Sequence, residues 1–342
     1  MQQKHAPPTR IRRYRLLSLI GSTLNSDVYV AVVPSTNQKI VMKLIPHVKN
    51  EDEEIPFPSR METIERECQI HRRLSHPYIM PVVDTFDYQN FRVILMPRAF
   101  GGSLGERKIR DPKSVTKIMY RSLKALQYLH VCNILHGDIK PTNIMIDNIT
   151  DSDSKSFDSF SKNDFKDHKN DSKCEFSRND SKSDTKNDQQ KYCEEPVPLF
   201  IDFGHARELS NKHFCHCHNM TCSFSSPELL ALKPHSFPSD IWSLAATFIF
   251  MITGREILRL KNIEIMAKEA LNLKLTFNER EYSNYPSSLQ DLLQSMLNRA
   301  PEKRPNVHKC LAHEFFEEML GAGWIRREND RVPPIPAKER LC

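Results

Sequence analysis

The spacing of hydrophobic residues changes near residue 100. Before that point, short runs rich in β-branched and aromatic residues alternate with turn residues, as is typical of an antiparallel meander. These runs predict five strands, over residues 14–20, 27–33, 39–45, 82–86 and 91–96. One segment, residues 60–74, instead places Ile64, Glu67, Ile70 and Leu74 at steps of three and four residues. That spacing predicts an amphipathic helix.

Helical spacing dominates after the glycine pair at 101–102, with helices predicted over residues 115–130, 241–253, 289–298 and 307–316. The predicted fold class is therefore α+β with two lobes. The small lobe, residues 14–100, holds a five-stranded antiparallel sheet and one main helix, and the larger lobe, residues 101–318, is mostly α-helical. A chain of 342 residues is long enough for two such units.

Three segments fall outside this pattern. Residues 1–13 contain Pro and Arg without periodicity and predict a flexible basic arm, and residues 319–342 are assigned to a C-terminal tail. Residues 151–195 interrupt the large lobe with Ser, Lys, Asp and Asn and little aliphatic content. Such a segment cannot bury enough apolar surface to offset its conformational entropy, so it is expected to be a disordered insert. Its serines leave open a regulatory or partner-binding role.

Composition excludes several classes of protein. The net charge of +6 arises from 49 basic and 43 acidic residues, too mild an excess to indicate nucleic-acid binding. Nine cysteines without framework spacing, and the lack of a secretory pattern, favour an intracellular protein, cytoplasmic or nuclear. The longest apolar run, residues 241–253, is shorter than the roughly 18–20 residues that span a bilayer, so no membrane association is expected. Nothing in the sequence indicates the oligomeric state.

Two short motifs carry the chemistry. Residues 136–143 read His-Gly-Asp-Ile-Lys-Pro-Thr-Asn, and residues 202–204 read Asp-Phe-Gly. They supply a base, a lysine, an asparagine and a second aspartate at the spacings that phosphoryl transfer requires. In this order, the motifs resemble the catalytic loop and magnesium loop of eukaryotic protein kinases, and the resemblance covers about residues 14–318. The interruption between them also resembles that of the SR-protein kinases.

The resemblance implies a bilobal fold that uses ATP and Mg²⁺ to phosphorylate protein substrates. Asp138 would orient the attacking hydroxyl and accept its proton, while Lys140 would neutralise charge on the transferring phosphoryl group. Asn143 and Asp202 would hold Mg²⁺ through oxygen atoms. Lys43 would contact the nucleotide phosphates and pair with a carboxylate on the small-lobe helix. Glu67 stands at the family position, with Glu65 as its competitor.

The same resemblance assigns the remaining nucleotide contacts. Residues 20–28 replace the glycine-rich loop, with Ile20, Gly21 and Val28 expected at the nucleotide. Thr23 and Ser26 stand where the family has glycines, so weaker ATP binding is expected. Met96 resembles the gatekeeper residue, and Ala99 the hinge residue whose N–H contacts adenine.

Lys140, two residues after the catalytic aspartate, is the form found in serine/threonine kinases, and Thr221 matches a threonine that contacts that aspartate. Glu228 is expected to pair with Arg304, and Asp240 to support the catalytic loop. Gly137 replaces the arginine that binds an activation-loop phosphate, so activation by loop phosphorylation is not expected.

Two alternatives remain. Thr23, Ser26 and Gly137 favour a pseudokinase that acts as a scaffold, whereas the intact phosphate and metal residues oppose it. A small-molecule kinase of similar fold is opposed by Thr221 and by the Ser-Pro-Glu at 226–228, which belong to a peptide-docking segment. The Cys and His residues of the segment 213–222 leave open a zinc site or a redox-sensitive loop, although their spacing departs from the usual zinc patterns.

Overall fold

The fold was analysed in a computed structural model. It describes residues 9–23, 25–47, 60–148, 195–209, 222–259, 262–277 and 280–332. The expectations for residues 1–8, for Thr221, for the Cys and His residues at 213–218, and for nearly all of the insert lie outside these ranges. Within the described ranges, no helix combines the length and apolar character needed to cross a membrane.

The small lobe is a twisted antiparallel sheet of six strands in the order β1-β2-β3-β4-β6-β5. The strands are β1 (Arg10–Ile11), β2 (Tyr14–Ser22), β3 (Asp27–Val33), β4 (Gln38–Pro46), β5 (Asp84–Tyr88) and β6 (Phe91–Pro97). Alternate residues of the central strands, including Ile40, Met42, Val93 and Leu95, form a core on one face of the sheet. These buried residues stand at every second position, as expected for strands that pack one face against a core.

The five-strand prediction was wrong by one strand. The additional strand, β1, lies within residues 1–13, which were assigned to a flexible arm. It pairs with β2, and its Ile11 is fully buried. Arg12 lies over the Phe86 ring at 3.8 Å and covers the same corner of the core. A two-residue strand with one apolar side chain has no periodicity to detect, and only its packing fixes its conformation.

Helix α1 (Arg60–Arg73) connects the two lobes. Its buried residues Ile64, Cys68 and Ile70 belong to the hydrophobic cluster of the large lobe rather than to the core of the sheet. The same cluster contains Phe203, which follows Asp202 directly. Movement of α1 would therefore disturb the residues around Asp202.

The large lobe is helical, as predicted. Its helices are α2 (Pro112–Val131), α3 (Pro227–Leu230), α4 (Phe237–Thr253), α5 (Ile263–Asn272), α6 (Ser287–Met296), α7 (Val307–Leu311), α8 (Glu314–Leu320) and α9 (Ala322–Arg331). Asp111 caps α2, with a side-chain oxygen accepting from Ser114 N at 2.8 Å. α4 is buried on most sides, which explains its long apolar run.

Two small two-stranded sheets bring the catalytic motifs together. Strand β8 (Ile144–Asn148) pairs antiparallel with β9 (Pro196–Phe200), with Ile144 opposite Phe200, so Asn143 and Asp202 lie at the same end of this pair although the insert separates them in sequence. Strand β7 (Ile134–Leu135), which precedes the catalytic loop, pairs with β10 (Arg207–Glu208), which follows the Asp-Phe-Gly motif. The sheet pairing brings the two motifs together.

The tail assignment at 319–342 also needs correction, because α9 packs on the large lobe. Trp324 lies edge-on to Tyr120 at 5.6 Å, and buried Glu328 accepts from the Arg121 guanidinium at 3.0 Å and 3.1 Å. Glu195, the last residue of the assigned insert, accepts from the same guanidinium at 2.7 Å. The sequence analysis missed this cluster because its three charged residues come from three separate segments.

Candidate active site

An ion triad joins the two lobes, with Glu67 buried, Lys43 mostly buried and the Asp202 side chain about one third exposed. Lys43 Nζ is 2.6 Å from Glu67 Oε1 and 2.7 Å from Asp202 Oδ1. Lys43 comes from β4, Glu67 from the buried face of α1, and Asp202 from the segment after β9. The three side chains predicted from separate motifs therefore meet, and Glu67 rather than Glu65 is the partner of Lys43.

Lys43 and Asp202 stabilise each other's charge, whereas burial raises the pKa of Glu67 despite its contact with Lys43. Burial alone would lower the pKa of Lys43, but the Asp202 and Glu67 carboxylates outweigh burial and raise it. For Asp202, burial raises the pKa, yet the Lys43 ammonium outweighs burial and the net direction is downward. Lys43 is therefore cationic and Asp202 anionic at neutral pH, the states needed to contact phosphate and a metal ion.

The two candidate glutamates allow a matched test. We expect Glu67→Gln to lower kcat/KM for ATP by about 10²-fold, because Lys43 loses a charged partner and its position at the phosphates is no longer fixed. Glu65→Gln is expected to change it by less than about twofold, because Glu65 is half exposed and pairs instead with Arg92, at 3.2 Å. Steady-state kinetics at varied ATP would decide. An equal loss in the two variants would contradict this assignment.

The catalytic loop is held by a buried carboxylate of α4. Asp240 accepts from the backbone amides of His136 at 2.9 Å and Gly137 at 3.0 Å, and it lies 3.1 Å from His130 Nε2. Gly137 has a φ of +78°, and a Cβ there would lie 2.9 Å from the carbonyl oxygen of His205. Position 137, which resembles an arginine position of the family, therefore has a backbone conformation and surroundings that favour glycine in this chain.

Asp138, Lys140 and Asn143 form one hydrogen-bonded group. Lys140 Nζ donates to Asp138 Oδ2 at 2.7 Å. Asn143 Nδ2 donates to the carbonyl oxygen of Asp138 at 2.9 Å and to its Oδ2 at 3.0 Å. The Asp138 side chain is thus held in place by both Lys140 and Asn143.

Asn143 and Asp202 fit a magnesium ion by their donor chemistry. Asn143 commits its NH₂ to Asp138, so its amide oxygen is the atom remaining for a cation. Among the described residues, the contacts of the Asp202 carboxylate, from Lys43 and from the Gly204 amide, fall on Oδ1. Two hard oxygen donors suit Mg²⁺, which typically keeps several waters and binds one or two protein ligands with substrate phosphates.

The backbone at Asp202 is held by aromatic packing. Asp202 has a φ of +63°, in the left-handed region that aspartate tolerates better than most residues. Fully buried Phe203 fixes the next position, since its ring lies 4.5 Å from the His71 ring and 5.1 Å from the His136 ring. Sequence reasoning missed His71, because a histidine on a helix gives no local signal of a distant aromatic partner.

The buried histidines make the fold acid-sensitive. Burial lowers the pKa of His71 to about 4 and that of His76 to about 3, whereas both side chains titrate near 6.5 when unfolded. The unfolded chain therefore binds more protons than the folded chain below pH 6.5, and folding free energy is lost as the pH falls. We expect a loss of about 2 kcal/mol per histidine at pH 5, measured by urea unfolding at pH 7.5 and pH 5.

A variant identifies the groups responsible. His76 Nδ1 accepts from Tyr78 N at 3.1 Å, and an asparagine oxygen can take the same bond. His76→Asn should therefore reduce the stability difference between pH 7.5 and pH 5 by about 2 kcal/mol, the share of one histidine. An unchanged difference would assign the acid sensitivity to other groups.

The nucleotide-contact positions predicted from the resemblance lie on adjacent strands. Gly21 is paired with Val28, Val28 with Lys43, and Val41 of the same strand as Lys43 with Met96. The Ile20 side chain is exposed, whereas that of Met96 is buried in the cluster that also contains the core of the large lobe. Ala99 lies partly buried after β6, packed against the core of the large lobe. Strand pairing therefore places Gly21, Val28, Lys43 and Met96 on adjacent strands, and their contact with a nucleotide stays a prediction.

A buried ion pair anchors the Ser-Pro-Glu segment at 226–228 to the large lobe. Arg304 donates to both carboxylate oxygens of Glu228, at 2.6 Å and 2.7 Å, as the motif predicted. Ser239 also donates to Glu228 Oε1. Among the described residues, no group of three or more His, Cys, Asp or Glu side chains could hold a metal ion by itself.

Comparison with known families agrees with this geometry. The model of the protein kinase domain matches residues 14–175 and 185–316, most of the chain. The chain belongs to the protein kinase family. Members of this family generally use ATP and Mg²⁺.

Several curated relatives carry the same domain. The chain is 23% identical to serine/threonine-protein kinase PLK4 of Danio rerio over 90% of this chain and 28% of that protein. It is 25% identical to PLK2 of Mus musculus over 90% of this chain and 38% of the relative. It is 23% identical to srk1 of Schizosaccharomyces pombe over 96% of this chain and 54% of the relative. The chain thus spans about a quarter to a half of these relatives.

Proposed function

We propose that this protein is a serine/threonine kinase that transfers the γ-phosphoryl group of Mg·ATP to hydroxyl groups of protein substrates. The observation that carries the proposal is the meeting, in one cleft, of the Lys43–Glu67–Asp202 triad and the Asp138–Lys140–Asn143 group. The first group suits the nucleotide phosphates and metal, and the second suits the acceptor hydroxyl.

The geometry supports a division of labour. Asp138 Oδ2, fixed by Lys140 and Asn143, would accept a hydrogen bond from the acceptor hydroxyl and then its proton. Lys140 would turn from Asp138 towards the γ-phosphoryl oxygens as charge develops there. Lys43 would hold the α- and β-phosphates. When bound, Mg²⁺ would neutralise phosphate charge and fix the phosphate orientation.

Two observations favour serine and threonine as acceptors. Lys140 has the serine/threonine-kinase form of the loop, and the relatives bear that name. The pseudokinase alternative has less support. Thr23 and Ser26 replace glycines and Gly137 replaces an arginine, but these changes leave every side chain proposed to contact phosphate or metal in place. The small-molecule alternative is opposed by the Glu228–Arg304 pair, which braces a segment suited to peptide docking.

Regulation and location form a further part of the proposal. Gly137 carries no side chain for an activation-loop phosphate, which supports control by a partner or constitutive competence. We assign the partner role to residues 151–195 on their serine-rich composition alone, and we place the protein in the cytoplasm or nucleus. The resemblance to SR-protein kinases stays a prediction.

The test is incorporation of labelled γ-phosphate from Mg·ATP into degenerate peptide libraries that contain Ser, Thr or Tyr as the acceptor. We expect incorporation into the Ser and Thr libraries, and its loss in an Asp138→Asn control of equal fold stability. Labelling of the Tyr library alone would refute the acceptor class. No labelling of any library by a protein that binds ATP would favour the scaffold.

A further inference from the structure

Backbone amides in the turn between β2 and β3, where the family has its glycine-rich loop, are hydrogen-bonded within the turn. β2 ends at Ser22 and β3 begins at Asp27, and Thr23 N donates to the Ser26 carbonyl at 2.9 Å across the turn. Thr23 Oγ1 then accepts from two backbone amides of the loop tip, Asn25 N at 3.1 Å and Ser26 N at 3.0 Å. The hydroxyl also lies 3.2 Å from the Ser26 carbonyl and 3.2 Å from Ser26 Oγ.

These amides matter because backbone N–H groups of this loop are the groups that cover nucleotide phosphates in the family. An amide N–H has one hydrogen to donate, so an amide bonded to Thr23 cannot at the same time bind a phosphate oxygen strongly. An intramolecular bond between neutral groups is worth roughly a kcal/mol relative to water. Breaking two of them to bind phosphate therefore reduces nucleotide affinity measurably.

The tip is also fixed from the α1 side. Arg60, the first residue of α1, donates to the Asn25 carbonyl at 3.2 Å and to the Pro46 carbonyl at 2.7 Å. Ser22 Oγ donates to Asp27 Oδ1 at 2.6 Å at the base of the loop. The turn is thus held at both ends, which favours the conformation in which Thr23 keeps its amides.

We propose that Thr23 sets the affinity of this site for the triphosphate, because its hydroxyl occupies the loop-tip amides of Asn25 and Ser26 that would otherwise bind phosphate oxygens. This inference rests on the proposed function, since it assumes that the cleft binds ATP. Crowding by a threonine in place of glycine would also weaken binding, but through side-chain volume. The inference assigns the effect to the Thr23 hydroxyl instead.

The test compares Thr23→Ala, which removes the hydroxyl, with Thr23→Ser, which keeps it and removes only the methyl group. Each protein is titrated calorimetrically with Mg·ATP and with adenosine, which has no phosphate. We expect Thr23→Ala to bind Mg·ATP about tenfold more tightly than wild type, with adenosine affinity changed by less than about twofold. Thr23→Ser should match wild type for both ligands.

A control and a second measurement sharpen the result. Thr36 also accepts a backbone amide in a turn, that of Gln38 at 3.4 Å, but between β3 and β4, so Thr36→Ala should leave both affinities unchanged. Hydrogen exchange of the Asn25 and Ser26 amides should be faster in Thr23→Ala than in wild type or Thr23→Ser.

Three outcomes would overturn the inference. Equal tightening in Thr23→Ala and Thr23→Ser would assign the effect to crowding by the methyl group. Parallel changes for ATP and adenosine would place it outside phosphate binding, and weaker ATP binding in Thr23→Ala would mean that the hydroxyl prepares the loop for phosphate. Failure of wild type and every variant to bind either ligand would instead refute the proposed function itself.

Discussion

Replacing Asp138 with asparagine is expected to lower kcat for peptide phosphorylation by about 10³-fold. Asparagine keeps the size of the side chain and one oxygen, but it cannot accept the proton of the acceptor hydroxyl. It also removes the charge that Lys140 contacts at 2.7 Å. The measurement is kcat with a saturating Ser peptide, together with the Kd for Mg·ATP.

The Kd should change little, because the Lys43–Glu67–Asp202 triad that faces the phosphates is intact in this variant. Asp291→Asn provides a matched control, since the Asp291 side chain is 76% exposed on α6 and pairs only with His313 among the described residues. Its kcat should equal that of wild type. If Asp138→Asn retained more than about a tenth of the wild-type kcat, Asp138 would not be the base.

The second large effect concerns stability. Arg304→Met is expected to lower the free energy of unfolding by about 3–5 kcal/mol, because it leaves the Glu228 carboxylate buried without its cation. The Arg304 side chain is fully buried and that of Glu228 is 8% exposed, so water cannot replace the lost bonds. Arg304 also donates to the carbonyl oxygens of Asn298 and Pro238, which would lose a donor. Urea unfolding monitored by tryptophan fluorescence would measure the change.

The double variant Glu228→Gln with Arg304→Met separates the pair from the surrounding packing. Once the carboxylate is neutral, loss of the guanidinium no longer leaves a buried charge, so the double variant should be more stable than Arg304→Met alone. Additive losses in the double-mutant cycle would show that the two side chains stabilise the lobe independently.

The residues of the chemistry could be predicted from sequence because their spacing within each motif is local. Asp138, Lys140 and Asn143 lie within six residues on one loop, so the chain itself keeps them close together. The strands of the small lobe were predictable for a similar reason, since short β-rich runs bounded by turn residues are a local signal. Their register, which places Val28 beside Lys43, needed the sheet to form.

Other features depended on partners distant in sequence. Glu67 and Glu65 lie two residues apart on one helix, and only the packing of α1 turns Glu67 inward to Lys43 and leaves Glu65 to Arg92. The first strand was missed because Ile11 is the single apolar residue that it buries. The Arg121 cluster was missed because it joins α2, α9 and the end of the insert.

The sequence by itself determined the family, the two-lobe fold class and the candidate residues for phosphate and metal binding, since these depend on local spacing and on motif order. The tertiary structure confirmed Glu67 over its competitor Glu65 as the partner of Lys43, and it alone decided how Asp240 holds the catalytic loop and that Thr23 accepts from the loop-tip amides. The physical reason is that hydrogen-bond and ion-pair partners are selected by distance in space, and folding sets that distance between segments that the sequence leaves far apart.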